Sequence, residues 1–255
     1  MRTTVAALLI TFVALPAVAQ QTDDLNRVID EGLNHSQVMQ TAEHPMDSIG
    51  SRMTNSPGMR QAEAWTQSQF KSWGLKNVRK DGFALWAGEE QGLLGSRSYI
   101  EKYLATRPPA PSDVPQSWAE QNERWPTRFP ITPRPGYKDL VAYFNIDNGS
   151  GKIRGIHAEG NVAATGGTDH EWMQAIGVPA YQFIQDPLDY GSRVHHGGVD
   201  TFDHLKAEDL RQASVVLAGL LLESANSART LPRMGLPTTP TPTTPFKYDD
   251  PADAD

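Results

Sequence analysis

The 255-residue chain is expected to adopt an α/β fold, a mostly parallel sheet with helices on both faces. Three observations predict it. Short apolar runs bounded by glycine or proline alternate with longer stretches of helical spacing, the pattern of strands joined by helices. The most chemically distinctive side chains fall at the ends of those apolar runs, where the carboxyl ends of parallel strands open onto a crevice. Hydrophobic residues make up 38% of the chain and charged residues 21%, a globular balance that supports one sizeable core.

The N-terminus carries Arg2, an apolar run from Val5 to Leu15 and then Pro16-Ala17-Val18-Ala19. This reads as a secretory signal occupying residues 1–19, with a small-residue cleavage site. A membrane span needs about 20 apolar residues, so the mature chain is expected to be periplasmic or extracellular in a bacterium, with no membrane attachment after cleavage. An exported chain can form disulfides, but this one has no Cys, and its stability rests on burial instead. The formal net charge of −7 and pI near 5.5 argue against a nucleic-acid partner, which needs clustered Lys and Arg.

From Asp23 to Gln40 and from Gly58 to Trp73 apolar positions recur at helical spacing. Ser56 or Asn55 can cap the second of these helices, with Pro57 in its first turn. Leu93 to Leu104 reads as an amphipathic helix. Residues 108–135 hold eight prolines with Trp118 and Trp125, a density that forbids long regular elements, although a short helix is expected over 117–123. The tryptophans there are packing anchors on the strength of the area an indole buries. Leu140 to Ile146 reads as a buried strand, Asn148-Gly149-Ser150-Gly151 as its turn, and Lys152 to His157 as a returning strand. A helix beginning near Asp169, a strand over Pro179 to Ile184 and a long helix from Lys206 to Glu223 complete the domain, residues 20–228. Beyond it, residues 229–255 are rich in Pro and Thr and end in Asp repeats, a composition expected to remain disordered.

The most informative block is Trp86-Ala87-Gly88-Glu89-Glu90-Gln91-Gly92-Leu93-Leu94-Gly95-Ser96. Neighbouring side chains within a strand point to opposite faces, so two adjacent glutamates fit best where a strand ends and the backbone turns. There one carboxylate can hold a metal while its neighbour handles protons. The block resembles the W-A-x-E-E-x-G-L-x-G-S signature of the secreted two-zinc exopeptidases, which include aminopeptidases and carboxypeptidase Q. Tyr143-Phe144-Asn145-Ile146-Asp147, Gly167-Thr168-Asp169-His170 and Val194-His195-His196-Gly197-Gly198-Val199-Asp200-Thr201 follow in the order of that family.

The resemblance implies a role for each matching residue. Glu89 matches the general base, Glu90 a ligand of one zinc, Asp147 a ligand of the other, and His196 the imidazole partner of Glu90. Asp169 matches a carboxylate lying behind the ligands, and Asp200 one that orients the His196 loop. The expected substrates are peptides or dipeptides attacked at a terminus, by an aminopeptidase or a dipeptidase of the carboxypeptidase Q type. Read without the resemblance, Glu89 and Glu90 make a solvated strand end, Asp147 starts a turn, His196 sits in a loop, and Asp169 serves equally well as a helix N-cap. His35, His157 and His204 read as ordinary surface or structural residues.

The family also places a His-x-Asp segment and an Asp that bridges the two metals ahead of the Glu-Glu pair. No His-x-Asp occurs between residue 48 and Glu89; the nearest imitation, His44-Pro45-Met46-Asp47, has the wrong spacing. An internal segment near 80–83 is therefore expected to be missing. Counting ligands leaves at most one weakly held zinc, because catalytic zinc sites keep three protein ligands. The competing expectation is a noncatalytic remnant, either a pseudoenzyme that binds peptide termini or a deletion product with no selected role. A glycosidase reading fails on distance, since adjacent residues cannot easily span the roughly 5 Å or more between its two carboxylates.

Overall fold

The computed structural model describes residues 14–53, 56–75, 93–110, 125–157, 168–195 and 201–227, with the single positions 86, 199, 231 and 233 and the stretch 235–238. The described residues begin with two helices, α1 (Ala14–Asn34) and α2 (Val38–Glu43), followed by a π-helical turn His44–Ile49 and α3 (Pro57–Ser72). Ser56 caps α3, its Oγ accepting from the Met59 N–H at 3.1 Å, with Pro57 preset at the first helical position. Helix α4 (Leu94–Tyr99) continues as a wider turn Ile100–Leu104 into β1 (Ala105–Thr106). The expected helix over 117–123 lies outside the described residues. Beyond the proline-rich excursion, β2 (Thr132–Pro133) pairs antiparallel with β1.

The larger sheet comprises β3 (Tyr143–Asn145), β4 (Ile153–His157) and β5 (Ala180–Gln185), in the order β3-β5-β4. Helix α5 (His170–Gln174) precedes β5, and α6 (Ala207–Asn226) follows it. Strand β3 runs parallel to β5, with Asn145 opposite Gln182, whereas β4 is antiparallel to β5. The described sheet is thus mixed rather than mostly parallel. A parallel crossover needs a dozen or more residues, and only residues 146–152 separate β3 from β4, so the chain folds over the end of β5 and returns.

Gln185 holds that return. Its Nε2 donates to the Gly149 and Gly151 carbonyls at 2.7 and 3.2 Å. Gly149 takes φ +90°, and a Cβ on Gly151 would lie 2.0 Å from the Asp186 carbonyl oxygen, so neither position accepts a larger residue without strain.

Alternation along the strands sends side chains to two cores. Phe144, Ile153 and Phe183 pack against Ala213, Val216, Leu217 and Leu220 of α6. Tyr143 and Ala180 join the larger cluster of Ile100, Leu104, Trp125, Trp172, Met173 and Ile176. Trp125 is an anchor, as its chemistry suggested: fully buried, edge-on to Trp172 at 5.3 Å, its Nε1 donating to Glu101 at 2.6 Å. Part of the stretch read as tail also packs on the domain. Arg233 donates to the carbonyls of Tyr137 and Leu140 at 2.8 and 3.3 Å, and Leu236 lies against the larger core.

Candidate functional site

The end of β3 positions the site. Asn145 and Asp147 are two residues apart, so both project to the same side of the strand end. Asn145 is buried; its Nδ2 donates to Gln182 Oε1 at 2.5 Å and to Thr168 Oγ1 at 3.4 Å. The Thr168 hydroxyl in turn donates to Asp147 Oδ2. On the other side, Tyr143 donates to Asn145 Oδ1 at 2.6 Å and accepts from the Trp86 indole N–H at 2.9 Å. Burial, together with the carboxylates of Asp169 and Asp147, drives the Tyr143 phenol well above its usual range against the opposing pull of the Trp86 bond, so it stays protonated.

Asp169 occupies the N-cap position of α5 but makes no cap hydrogen bond. It is 4% exposed, and its Oδ1 accepts from the Ser96 hydroxyl. Burial raises its pKa to about 6; the Ser96 bond opposes that shift and the nearby Asp147 charge adds to it. The helix-capping alternative therefore gives way to a buried carboxyl facing α4. Burial, helped by nearby His157, also pushes the His170 imidazole below its ordinary range.

Beside Asp147 lies a cavity of about 290 Å³, lined among others by Met46, Ile146, Leu188, Asp189 and His204. Tyr190 donates to the Asp147 carbonyl at 3.3 Å. His204 Nδ1 lies 2.5 Å from Asp189 Oδ2, a bond that holds the Asp189 carboxyl below its usual range. His204, read from sequence as an ordinary residue, is thus hydrogen-bonded to Asp189 at the cavity wall. The His44–Asp47 segment contributes Met46 to that wall, while His44 stacks on Trp65 at 4.7 Å.

Asp147 and Asp169 are therefore brought to one neighbourhood. Glu89, Glu90, His196 and Asp200 lie outside the described residues. Sequence reasoning did not single out Thr168, Asn145, Tyr143 or Ser96; the signal for Asn145 was its i, i+2 spacing from Asp147.

The family model of peptidase family M28 matches residues 66–221. The chain belongs to peptidase family M28. Membership makes it a peptidase-like hydrolase of a metallopeptidase family, with peptides as the substrate class and zinc as the typical metal. No curated protein and no solved structure gives a match.

The M28 chain carries one candidate ligand among its described residues. Asp147 fits zinc in kind, being a carboxylate oxygen donor whose second contact, Thr168, orients it from behind as ligating carboxylates are oriented elsewhere. No group of three His, Cys, Asp or Glu able to hold a metal occurs among the described residues.

Proposed function

We propose that this M28 chain is an exported zinc-dependent exopeptidase, an aminopeptidase or a dipeptidase of the carboxypeptidase Q type, with reduced activity. The observation that carries the reading is Asp147 at the carboxyl end of β3, oriented by Thr168 in the chain order of the family's ligands. Glu90 and His196 match ligands of one zinc and Asp147 a ligand of the other, so neither position keeps the three protein ligands of a catalytic zinc, and at most one weakly held ion, to which Asp147 contributes, would remain. Bound there, zinc supplies a Lewis acid and lowers the pKa of water. Glu89 takes the proton of the attacking water and returns it to the leaving amine. Asp169 is a carboxylate lying behind the ligands, held by Ser96, and Asp200 orients the loop of His196. An internal segment carrying the remaining ligands is absent near 80–83, which is why a second metal is not retained and why activity is reduced. Export follows from the signal at residues 1–19.

The missing His-x-Asp favours a second reading, a noncatalytic domain that binds peptide termini. Hydrolysis of a panel of aminoacyl and dipeptide substrates by the zinc-loaded protein and by Glu89→Gln separates them. Turnover in the parent that is lost in Glu89→Gln, with folding intact, is expected; equal rates in both would assign the turnover elsewhere, and peptide binding with no turnover in either would favour the second reading.

A further inference from the structure

The hydrogen bonds at the end of β3 have a direction fixed by their two ends. An indole N–H only donates and an ionised carboxylate only accepts. Because Trp86 donates to Tyr143, the single Tyr143 proton goes on to Asn145 Oδ1. Because Thr168 gives its one proton to Asp147, it can only accept from Asn145, which therefore presents its Nδ2. Both constraints select the same orientation of the Asn145 amide, and Gln182 Oε1 accepts its other proton at 2.5 Å. Hydrogen bonds aligned in one sense polarise one another, more so where water is excluded.

We infer that Trp86, Tyr143, Asn145 and Thr168 form a one-way hydrogen-bond chain that positions the Asp147 carboxylate to receive the metal, with Thr168 as its last donor. The inference rests on the reading of Asp147 as a metal ligand. It also gives Trp86, three residues before Glu89 in the chain, a function beyond packing: it is the donor that starts the series on β3. These are positioning residues; none need touch substrate. The 3.4 Å step from Asn145 to Thr168 is the longest described link, so influence fades upstream of it.

The test is titration of zinc into the metal-free full chain against a chromophoric chelator. Thr168→Val keeps the shape and removes the donor, while Asn145 retains Gln182 as acceptor, so the fold should survive. The expected result is zinc affinity weakened ten- to a hundredfold, the range for loss of an outer partner of a ligand, with Thr168→Ser restoring it and Tyr143→Phe giving a smaller loss. Unchanged affinity in Thr168→Val, with a large loss in Asp147→Asn, would overturn the chain while leaving Asp147 a ligand. Unchanged affinity in both variants would overturn the chain and the ligand reading together.

Discussion

Ser96 in α4 donates its hydroxyl to the carboxylate of Asp169 at the start of α5, 73 residues away in sequence. The bond joins α4 to the start of α5 and leaves a carboxyl in a nearly dry setting. Its folded-state pKa of about 6 lies above the ordinary 3.8, so the folded chain binds this proton more tightly than the unfolded one. The contribution to stability is therefore greatest at acid pH and is lost as pH rises between those values. Each pKa unit corresponds to about 1.4 kcal/mol, which puts the whole effect on the order of 3 kcal/mol. Denaturant unfolding at pH 4 and pH 7 should show Asp169→Asn gaining on the parent at the higher pH. Parallel pH profiles would contradict the assignment.

The turn after Asp147 has no room at Gly151, where an added Cβ would meet the Asp186 carbonyl oxygen at 2.0 Å. Gly151→Ala should cost about 2–3 kcal/mol, the scale of overpacking, and weaken metal binding by displacing the turn that holds Asp147. Gly191→Ala, whose added Cβ meets nothing within 4 Å, is the control. Equal stability of the two variants by denaturant unfolding would show that the turn adapts.

The His204–Asp189 pair at the cavity wall lowers the Asp189 pKa chiefly through its hydrogen bond. Removing the imidazole with His204→Ala should bring Asp189 back toward the ordinary carboxylate range, measurable by NMR titration of the Asp189 carboxyl. The sign is that of a depressed acid: the pair contributes above the unfolded value, and the contribution is lost as pH falls through the folded one. An unmoved Asp189 would place the cause elsewhere.

Much of this architecture was legible because local chemistry and global fold agree. Ser56-Pro57 announces the start of α3, the Leu210–Leu221 stripe announces the helix that covers Phe183, and Asn148 to Gly151 announces the turn. The mixed sense of the described sheet was legible only in part: the short turn and the returning strand could be read, but not that β5 would lie between β3 and β4 or that Gln185 would close the turn, a contact 34 to 36 residues away in sequence. The Asp147 motif could be recognised as a string of letters, but its support could not. Thr168 lies 21 residues from Asp147 and Trp86 lies 57 from Tyr143; nothing in local spacing or composition links them. Asp169 illustrates the same limit, since its N-cap position suggested a cap and burial against Ser96 made it something else.

The most direct measurement is the zinc content of the purified mature protein by elemental analysis, before and after dialysis against a chelator. The expected result is no more than one zinc per chain, removed by the chelator and lost in Asp147→Asn. Two zincs per chain that resist chelation would contradict it, since they would require a full ligand set that Glu90, Asp147 and His196 do not provide.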